Sequence, residues 1–313
     1  MEISHIPVVP ISYGNAGELL KFLRGVSVPR GWQGGLPFHY HVGPGAVRAR
    51  VSVKDDRSTK PIKPIYDTFG IVRGSEFPDE LVIVGGHRDA WGPGTADNVS
   101  GTVSVLESAR AVAEELKAGL RPKRTIIFAT WDAEEWGLIG STEFVEDDSL
   151  RLLRGAVAYL NQDSAAEGAR FGAGGSPSLR ALLRDVARQV PDPGGAASVF
   201  AAWQRTSAVI DTTSPPMADP GGGSDFAGFY NHLGIPIVDW GFGGESGMYH
   251  SQYDDFAWMS RFGDTSFAYH ATASAIGAAM VLRLANADIV PYDYVEFART
   301  MQRYVPAIER QIA

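Results

Sequence analysis

The chain contains no cysteine. Disulfides, thiolate metal sites and a cysteine nucleophile are excluded together, so any bound metal must be held by histidine, aspartate or glutamate. Positive charge is also in short supply, with 28 Lys and Arg against 36 Asp and Glu and a formal net charge of −8. Neutralising a phosphate backbone takes a basic face, and no basic run or stripe occurs, which argues against a nucleic-acid partner. Long apolar runs are missing too: none could cross a bilayer, and nothing near Met1 reads as a signal peptide. Internal repeats and low-complexity tracts are absent. What remains is an ordinary globular composition, 44% hydrophobic and 20% charged over 313 residues, enough for two domains or one large domain with appendages.

Short apolar runs alternate with helical patterns. Residues 81–84, 125–130, 156–160 and 235–240 read as buried strands, and residues 65–72 pair with the first of them across a turn at 74–78. Between them lie helices over 138–146 and 178–190. A further helix follows Ser100 and stops at Gly119, with Val103, Leu106, Ala109, Val112 and Leu116 on one face. A nearly all-apolar helix over 265–284 reads as buried, and Pro291 breaks it. Residues 294–312 form a last amphipathic helix whose Val295, Phe297, Met301, Tyr304 and Ile308 have little to pack on. The β-helix-β order predicts an α/β fold, a mainly parallel central sheet flanked by helices on both faces, with mixed edges. The first 61 residues are rich in Pro and Gly, with a helix over 16–23 and an alternating strand over 47–53; residues 191–223 read as loop.

Four of the strand ends deliver metal-capable side chains: His87, Asp89 and Asp97 after the first, Glu134 and Glu135 after the second, Asp163 after the third and His250 after the last. Taken singly, a histidine after a strand is more often a hydrogen-bonded structural residue, and loop carboxylates are usually just solvated. Their joint placement favours a site, since ligands gather at the carboxyl ends of strands in open α/β sheets. A His/carboxylate set without Cys suits Zn²⁺. Two ions account for it better than one, because the carboxylates and two imidazoles exceed a single tetrahedral shell. Of the adjacent pair Glu134 and Glu135, one can bind metal while the other moves protons. No HExxH is present, which removes the single-zinc motif.

The segments GGHRDAW, ADNVSG, TWDAEEWGLIGSTEF, NQDSAAEG, GGGSDF and MYHSQYD resemble, in order and almost end to end, the active-site segments of the co-catalytic dizinc peptidase family of glutamate carboxypeptidase II and the transferrin receptor. The resemblance implies a zinc exopeptidase fold and hydrolysis of a terminal peptide bond of small peptides. It makes His87 and Asp163 ligands of one zinc, Glu135 and His250 ligands of the other, and Asp97 the bridge. Glu134 becomes the general base and acid, and Asp89 the group that holds the His87 ring. The Asp97–Asn98 peptide bond is expected to be cis. Gly223, Ser224, Asp239 and Tyr249 fall at the substrate. Where the family carries an arginine patch for acidic substrates, this chain has residues 236–241 with Asp239 of opposite charge, so a carboxylate there should be repelled.

The same resemblance implies that residues 1–61 close a protease-associated apical domain, 62–292 form the peptidase domain, and 293–313 begin a helical domain that this chain does not finish. It also suggests a homodimer and an exported or membrane-anchored setting, and a pocket short of full activity. Glu143 and Glu146 match two carboxylates of a structural calcium site, although a solvated helix face accounts for them as well. His5, His39, His41, His232 and His270 have no ligand context. Aminopeptidase and carboxypeptidase action are both open. So is a receptor-like relative without metals, against which the intact ligand set and Glu134 argue.

Overall fold

The computed structural model describes residues 6–53, 62–207 and 215–312. They divide into two compact units between Pro64 and Ile65. In the first unit the helix α1 (Tyr13–Leu20) starts earlier than expected, because the Ser12 hydroxyl caps it by accepting from Asn15 N at 3.1 Å. The two-residue strands β1 (Val26–Ser27) and β2 (His41–Val42) pair antiparallel. The strand expected over residues 47–53 does not form. Alternation makes a strand only where a neighbour completes the ladder, and Val47, Val51 and Val53 remain exposed with no such neighbour among the described residues.

The second unit runs β3 (Thr68–Val72), β4 (Phe77–His87), α2 (Gly101–Lys117), β5 (Arg124–Trp131), α3 (Ile139–Asp147), α4 (Ser149–Gly155), β6 (Ala156–Asn161), β7 (Arg170–Gly175), α5 (Arg180–Gln189), α6 (Val199–Thr206), β8 (Ile237–Gly243), α7 (Phe256–Arg261), α8 (Ala268–Asn286) and α9 (Tyr294–Ile312). One sheet has the order β3-β5-β4-β6-β8-β7. Its four central strands are parallel, and β3 and β7 close the edges antiparallel. This is the mixed α/β architecture that the sequence predicts.

The continuous apolar runs have a direct cause. Val82 and Val84 enter one core with Val105 of α2, Leu183 of α5 and Met280 of α8, while Leu81 and Ile83 enter another with Val145 of α3 and Leu152 of α4. A strand covered on both faces has no polar side to alternate with. The second core holds an aromatic cluster among its aliphatic residues: Tyr159 and Phe229 stack at 4.1 Å, and Trp131 Nε1 donates to the Tyr159 hydroxyl at 2.9 Å, so the buried indole N–H is satisfied.

Four elements depart from the sequence reading. The strand β3 pairs antiparallel with β5 and not, as expected, with β4, which lies one strand further in. On α2, Val103 and Leu106 face solvent, and the buried face is Ser104, Val105, Ser108 and Val112. Small residues win there because α2 packs closely on α8: Ser108 Oγ donates to Ser274 O at 3.0 Å, and a Cβ on Gly277 would lie 2.6 Å from that hydroxyl. The strand β7, RFGAGG, is not among the strands the sequence predicts; it forms an edge strand because β8 supplies a complete antiparallel ladder. Within residues 191–223, Ser198 caps α6, which buries Val199, Phe200 and Trp203; residues 208–214 of that segment lie outside the described ones. The helix α9 matches its expected limits and stays largely exposed along its apolar stripe, with Phe297 at 45% and Ile308 at 52%, and only Thr300 fully buried.

Leu160, fully buried on the central strand β6, should cost about 2–5 kcal/mol when changed to Ala. Ile308→Ala on α9 should stay within about 0.5 kcal/mol. Denaturant midpoints of the two variants test the packing directly, and equal losses would contradict it.

Candidate metal centre

Every donor stands at or just beyond the carboxyl end of a parallel strand. His87 is the last residue of β4, Glu134 and Glu135 follow β5, Asp163 follows β6, and His250 lies in the loop after β8. Asp97 sits in the irregular turn before α2 and reaches both imidazoles: Oδ1 is 3.2 Å from His87 Nε2, and Oδ2 is 3.0 Å from His250 Nε2. On the His87 side, Asp163 Oδ1 lies at 3.3 Å and Glu134 Oε2 at 3.9 Å from the same nitrogen. On the other side, Glu135 Oε2 is 3.2 Å from His250 Nε2. All five expected ligand residues and Glu134 meet in one place. The Asp97–Asn98 peptide bond is cis, as the resemblance implies.

Surrounding residues hold this geometry. Asn98 satisfies four partners: its amide donates to His87 O and Gln162 O at 3.0 and 2.9 Å, and its carbonyl accepts from Gly101 N and Ser164 N, both at 3.0 Å. It thereby ties the ends of β4 and β6 to the start of α2. Gly86 and Gly101 are required here, since a Cβ on either would lie 2.1 Å from Gln162 O. Asp254, fully buried, accepts from Ala96 N at 2.7 Å and Asp97 N at 3.0 Å and so fixes the Asp97 turn. Ala133, Ser164 and His250 all hold positive φ, 58°, 48° and 55°. Such backbone is costly for residues other than glycine and clusters where a site must be aimed.

Asp89 lies against the His87 ring, where it was expected, and serves a second purpose as well. The nearest acceptor to His87 Nδ1 is the Asp89 backbone carbonyl at 3.0 Å, while its carboxylate Oδ1 is 3.6 Å away. That carboxylate accepts from Glu134 N at 3.0 Å and Glu135 N at 3.2 Å and so orients both glutamates. Ser224 is buried and turned inward, donating to Asp163 Oδ2 at 2.6 Å and accepting from Asn161 Nδ2 at 3.0 Å. Tyr249 is exposed and stacks on the His250 ring at 3.8 Å, and Gly223 is exposed at φ 90° with open space around it. Asp239 sits on β8 directly opposite Asn161 of β6, whose side-chain amide donates to it over a long 3.4 Å.

The electrostatics are those of a cation pocket. Burial alone would lower the His87 pKa, but Asp163, Asp89 and Asp97 override it and push it well above the ordinary imidazole range. Burial pushes Glu134 up to about 8; His87 opposes this, and Asp225, Asp163 and Glu135 add to it. Burial and the adjacent Asp163 likewise push Asp239 up to about 7, against the Asn161 hydrogen bond. Asp97 Oδ1 and Glu135 Oε1 are buried without a hydrogen-bond partner. Buried acceptors left bare are costly unless something positive meets them. Two overlapping donor groups, His87/Glu134/Asp163 and His87/Asp97/Glu135, have atoms within 4.8 Å of one another. Nitrogen and oxygen donors at that spacing fit a borderline divalent ion such as zinc.

Two residues inside the quoted motifs went without a role in the sequence, Asp254 and Asp225. Asp225 is fully buried with both oxygens unpartnered, and its field helps raise Glu134. Their surroundings come from strands and loops distant in sequence, so only their place within the motifs could have hinted at them. Glu143 and Glu146 are exposed on α3 and join no group of three donors among the described residues. His270 is held by Asp264 at 2.8 Å, a structural histidine; His5 lies outside the described residues.

A mixed α/β sheet bearing a His/carboxylate pocket at its carboxyl end defines an α/β protein with a metal-type donor site. The chain belongs to peptidase family M28, whose sequence pattern matches residues 68–274. It is 39% identical over 305 residues to a "Probable glutamate carboxypeptidase VP8" of Zea mays, covering 97% of this chain and 42% of that protein. It is 33% identical over 331 residues to "Aminopeptidase NAALADL1" of Mus musculus, covering 98% of this chain and 44% of that one. The chain thus spans less than half the length of these curated relatives. Among solved structures, a zinc aminopeptidase from Bacillus subtilis shares the fold at a TM-score of 0.53 and 20% identity, over 73% of this chain and 52% of that one.

Asp254→Ala should free the Asp97 turn and weaken divalent-cation binding about 10- to 100-fold, the usual effect of losing a residue that orients a ligand. Titration with a competing chelator measures it, and unchanged affinity would show that the turn holds itself.

Proposed function

We propose that the chain is the catalytic core of a zinc-dependent exopeptidase that hydrolyses a terminal peptide bond of small peptides, carboxypeptidase-like in lineage. The observation that carries this reading is the Asp97 carboxylate lying between two histidines, each with its own further carboxylate, and a raised, buried glutamate beside them. Relatives named as glutamate carboxypeptidase and as aminopeptidase both support exopeptidase action and leave the choice of terminus to experiment. The zinc named for the Bacillus enzyme agrees with the donor chemistry here.

In this reading His87 and Asp163 would hold one zinc, His250 and Glu135 a second, and Asp97 would serve both. Zinc in such a donor set would make a water acidic near neutral pH and polarise a carbonyl. The chain's own residues do the rest. Glu134 accepts the proton of the attacking water and delivers it to the amine nitrogen as the peptide C–N bond breaks, leaving a free carboxylate and a free amine. Asp89 keeps Glu134 and Glu135 aimed through their amides, and Ser224 keeps Asp163 aimed through its second oxygen. Tyr249, Gly223 and Asp239 border the substrate. The domain reading belongs to the same proposal: residues 1–61 as the edge of an apical domain, 62–292 as the peptidase domain and 293–313 as the start of a helical one, in an exported or membrane-anchored homodimer.

Asp97→Ala should lose both ions together, because one side chain serves both; elemental analysis reads this, and two retained ions per chain would refute the bridge. Glu134→Gln should keep metal and fold while the rate falls about 10²- to 10⁴-fold. A fully active variant would assign the proton transfer to another group.

A further inference from the structure

Behind Asp163, the side chains of Ser224, Asn161 and Asp239 form a continuous run of hydrogen bonds. Asp163 turns Oδ1 toward His87 Nε2 at 3.3 Å and offers Oδ2 to the Ser224 hydroxyl at 2.6 Å. Ser224 Oγ in turn accepts from Asn161 Nδ2 at 3.0 Å, and the same nitrogen donates to Asp239 Oδ1 over 3.4 Å. Strand register makes the last contact possible, since Asn161 of β6 and Asp239 of β8 stand opposite each other in the parallel pairing. Asn161 and Ser224 are buried, and the Trp240 backbone amide also holds the Asp239 carboxylate.

Chemistry gives this run a direction. A serine hydroxyl has a single proton, so Ser224 can give it to Asp163 only if its other neighbour is a donor. Asn161 could present either its amide nitrogen or its carbonyl oxygen on that side. An ionised carboxylate only accepts, so Asp239 favours the nitrogen there and repels the oxygen. The consequence shows at the other end of the same amide, where Asn161 Oδ1 is buried with no hydrogen-bond partner. A bare buried carbonyl is costly, so the orientation is set by what meets the nitrogen.

We propose that Asp239 is a positioning residue for the metal centre: it sets the orientation of the Asn161 amide, which commits the Ser224 proton to Asp163 Oδ2 and leaves Asp163 Oδ1 to face a cation beside His87. The proposal deepens the metallopeptidase reading and rests on it for the identity of the ion as zinc. With the amide reversed, Ser224 would donate to Asn161 Oδ1 instead. Asp163 Oδ2 would then lose its partner, and the carboxylate would be free to turn away from the direction in which it is held.

Zinc affinity of the full chain, read by titration with a competing chelator, tests the relay. Ser224→Ala should weaken zinc binding about 10- to 100-fold, as losing a residue that orients a ligand does. Asp239→Asn should weaken it about two- to tenfold, the range of one ordinary hydrogen bond. In the Ser224→Ala background, Asp239→Asn should have no further effect, because its path to Asp163 is already cut. An equal further loss there would show that Asp239 acts on the ions through its charge alone, and wild-type affinity in Asp239→Asn would show that the amide holds itself; either result overturns the relay. Neutron diffraction from wild-type crystals in deuterated solvent needs no variant to fold. The Asn161 amide deuterons should point to Ser224 and Asp239 and the Ser224 deuteron to Asp163, and the reversed amide would overturn the proposal. A wild-type chain that takes up no zinc would refute the metal reading instead, while the amide orientation still judges the relay.

Discussion

A single short carboxylate, Asp97, spans the gap between His87 and His250, and the rest of the site is arranged so that it can. Its backbone amide is pinned by Asp254, its neighbour Asn98 ties three chain segments around it, and four more carboxylates crowd within a few ångströms. Like charges at such distances repel strongly in a medium less polar than water. The arrangement is favourable only with positive charge among them, and the raised His87 and Glu134 record how strongly the chain alone calls for it.

Holding repelling groups together takes a stiff support. The sheet provides it, because each central strand is clamped between two cores and cannot tilt to relieve the site. Left-handed backbone at Ala133, Ser164 and His250 costs about 1–3 kcal/mol at each residue. Close packing below, with the Trp131–Tyr159–Phe229 stack beneath β5 and β6, over-determines those conformations. The division of labour across the sheet follows from its strand directions. Parallel strands deliver their loops to one edge, where the donors converge, while the antiparallel β7 closes the sheet beside β8.

Much of this was legible in the residues. Apolar runs ending in His or Asp gave away the parallel strands, and the absence of cysteine narrowed the donors to those the site uses. The reading failed where a neighbour, not the local sequence, decides the outcome. RFGAGG forms a strand only because β8 hydrogen-bonds to it, α2 buries serines because α8 comes close, and residues 47–53 stay unpaired for want of a partner strand. Asp89 stands in the expected place beside His87 with a second role that the sequence did not show: its carboxylate also accepts from both glutamate amides, while its carbonyl is the nearest acceptor to the His87 ring nitrogen.

By itself, then, the sequence determined the four central strands and the long helices between them, the donor types and the positions from which they would come, since these depend on periodicity and on chemical character carried residue by residue. Tertiary structure alone decided which oxygen faces which nitrogen, that Ser224 turns inward to Asp163, that Asp254 secures Asp97 from 157 positions away, and that β3 pairs with β5. Those relations are set by register and by packing between segments remote along the chain, and no local pattern encodes a distance across a fold.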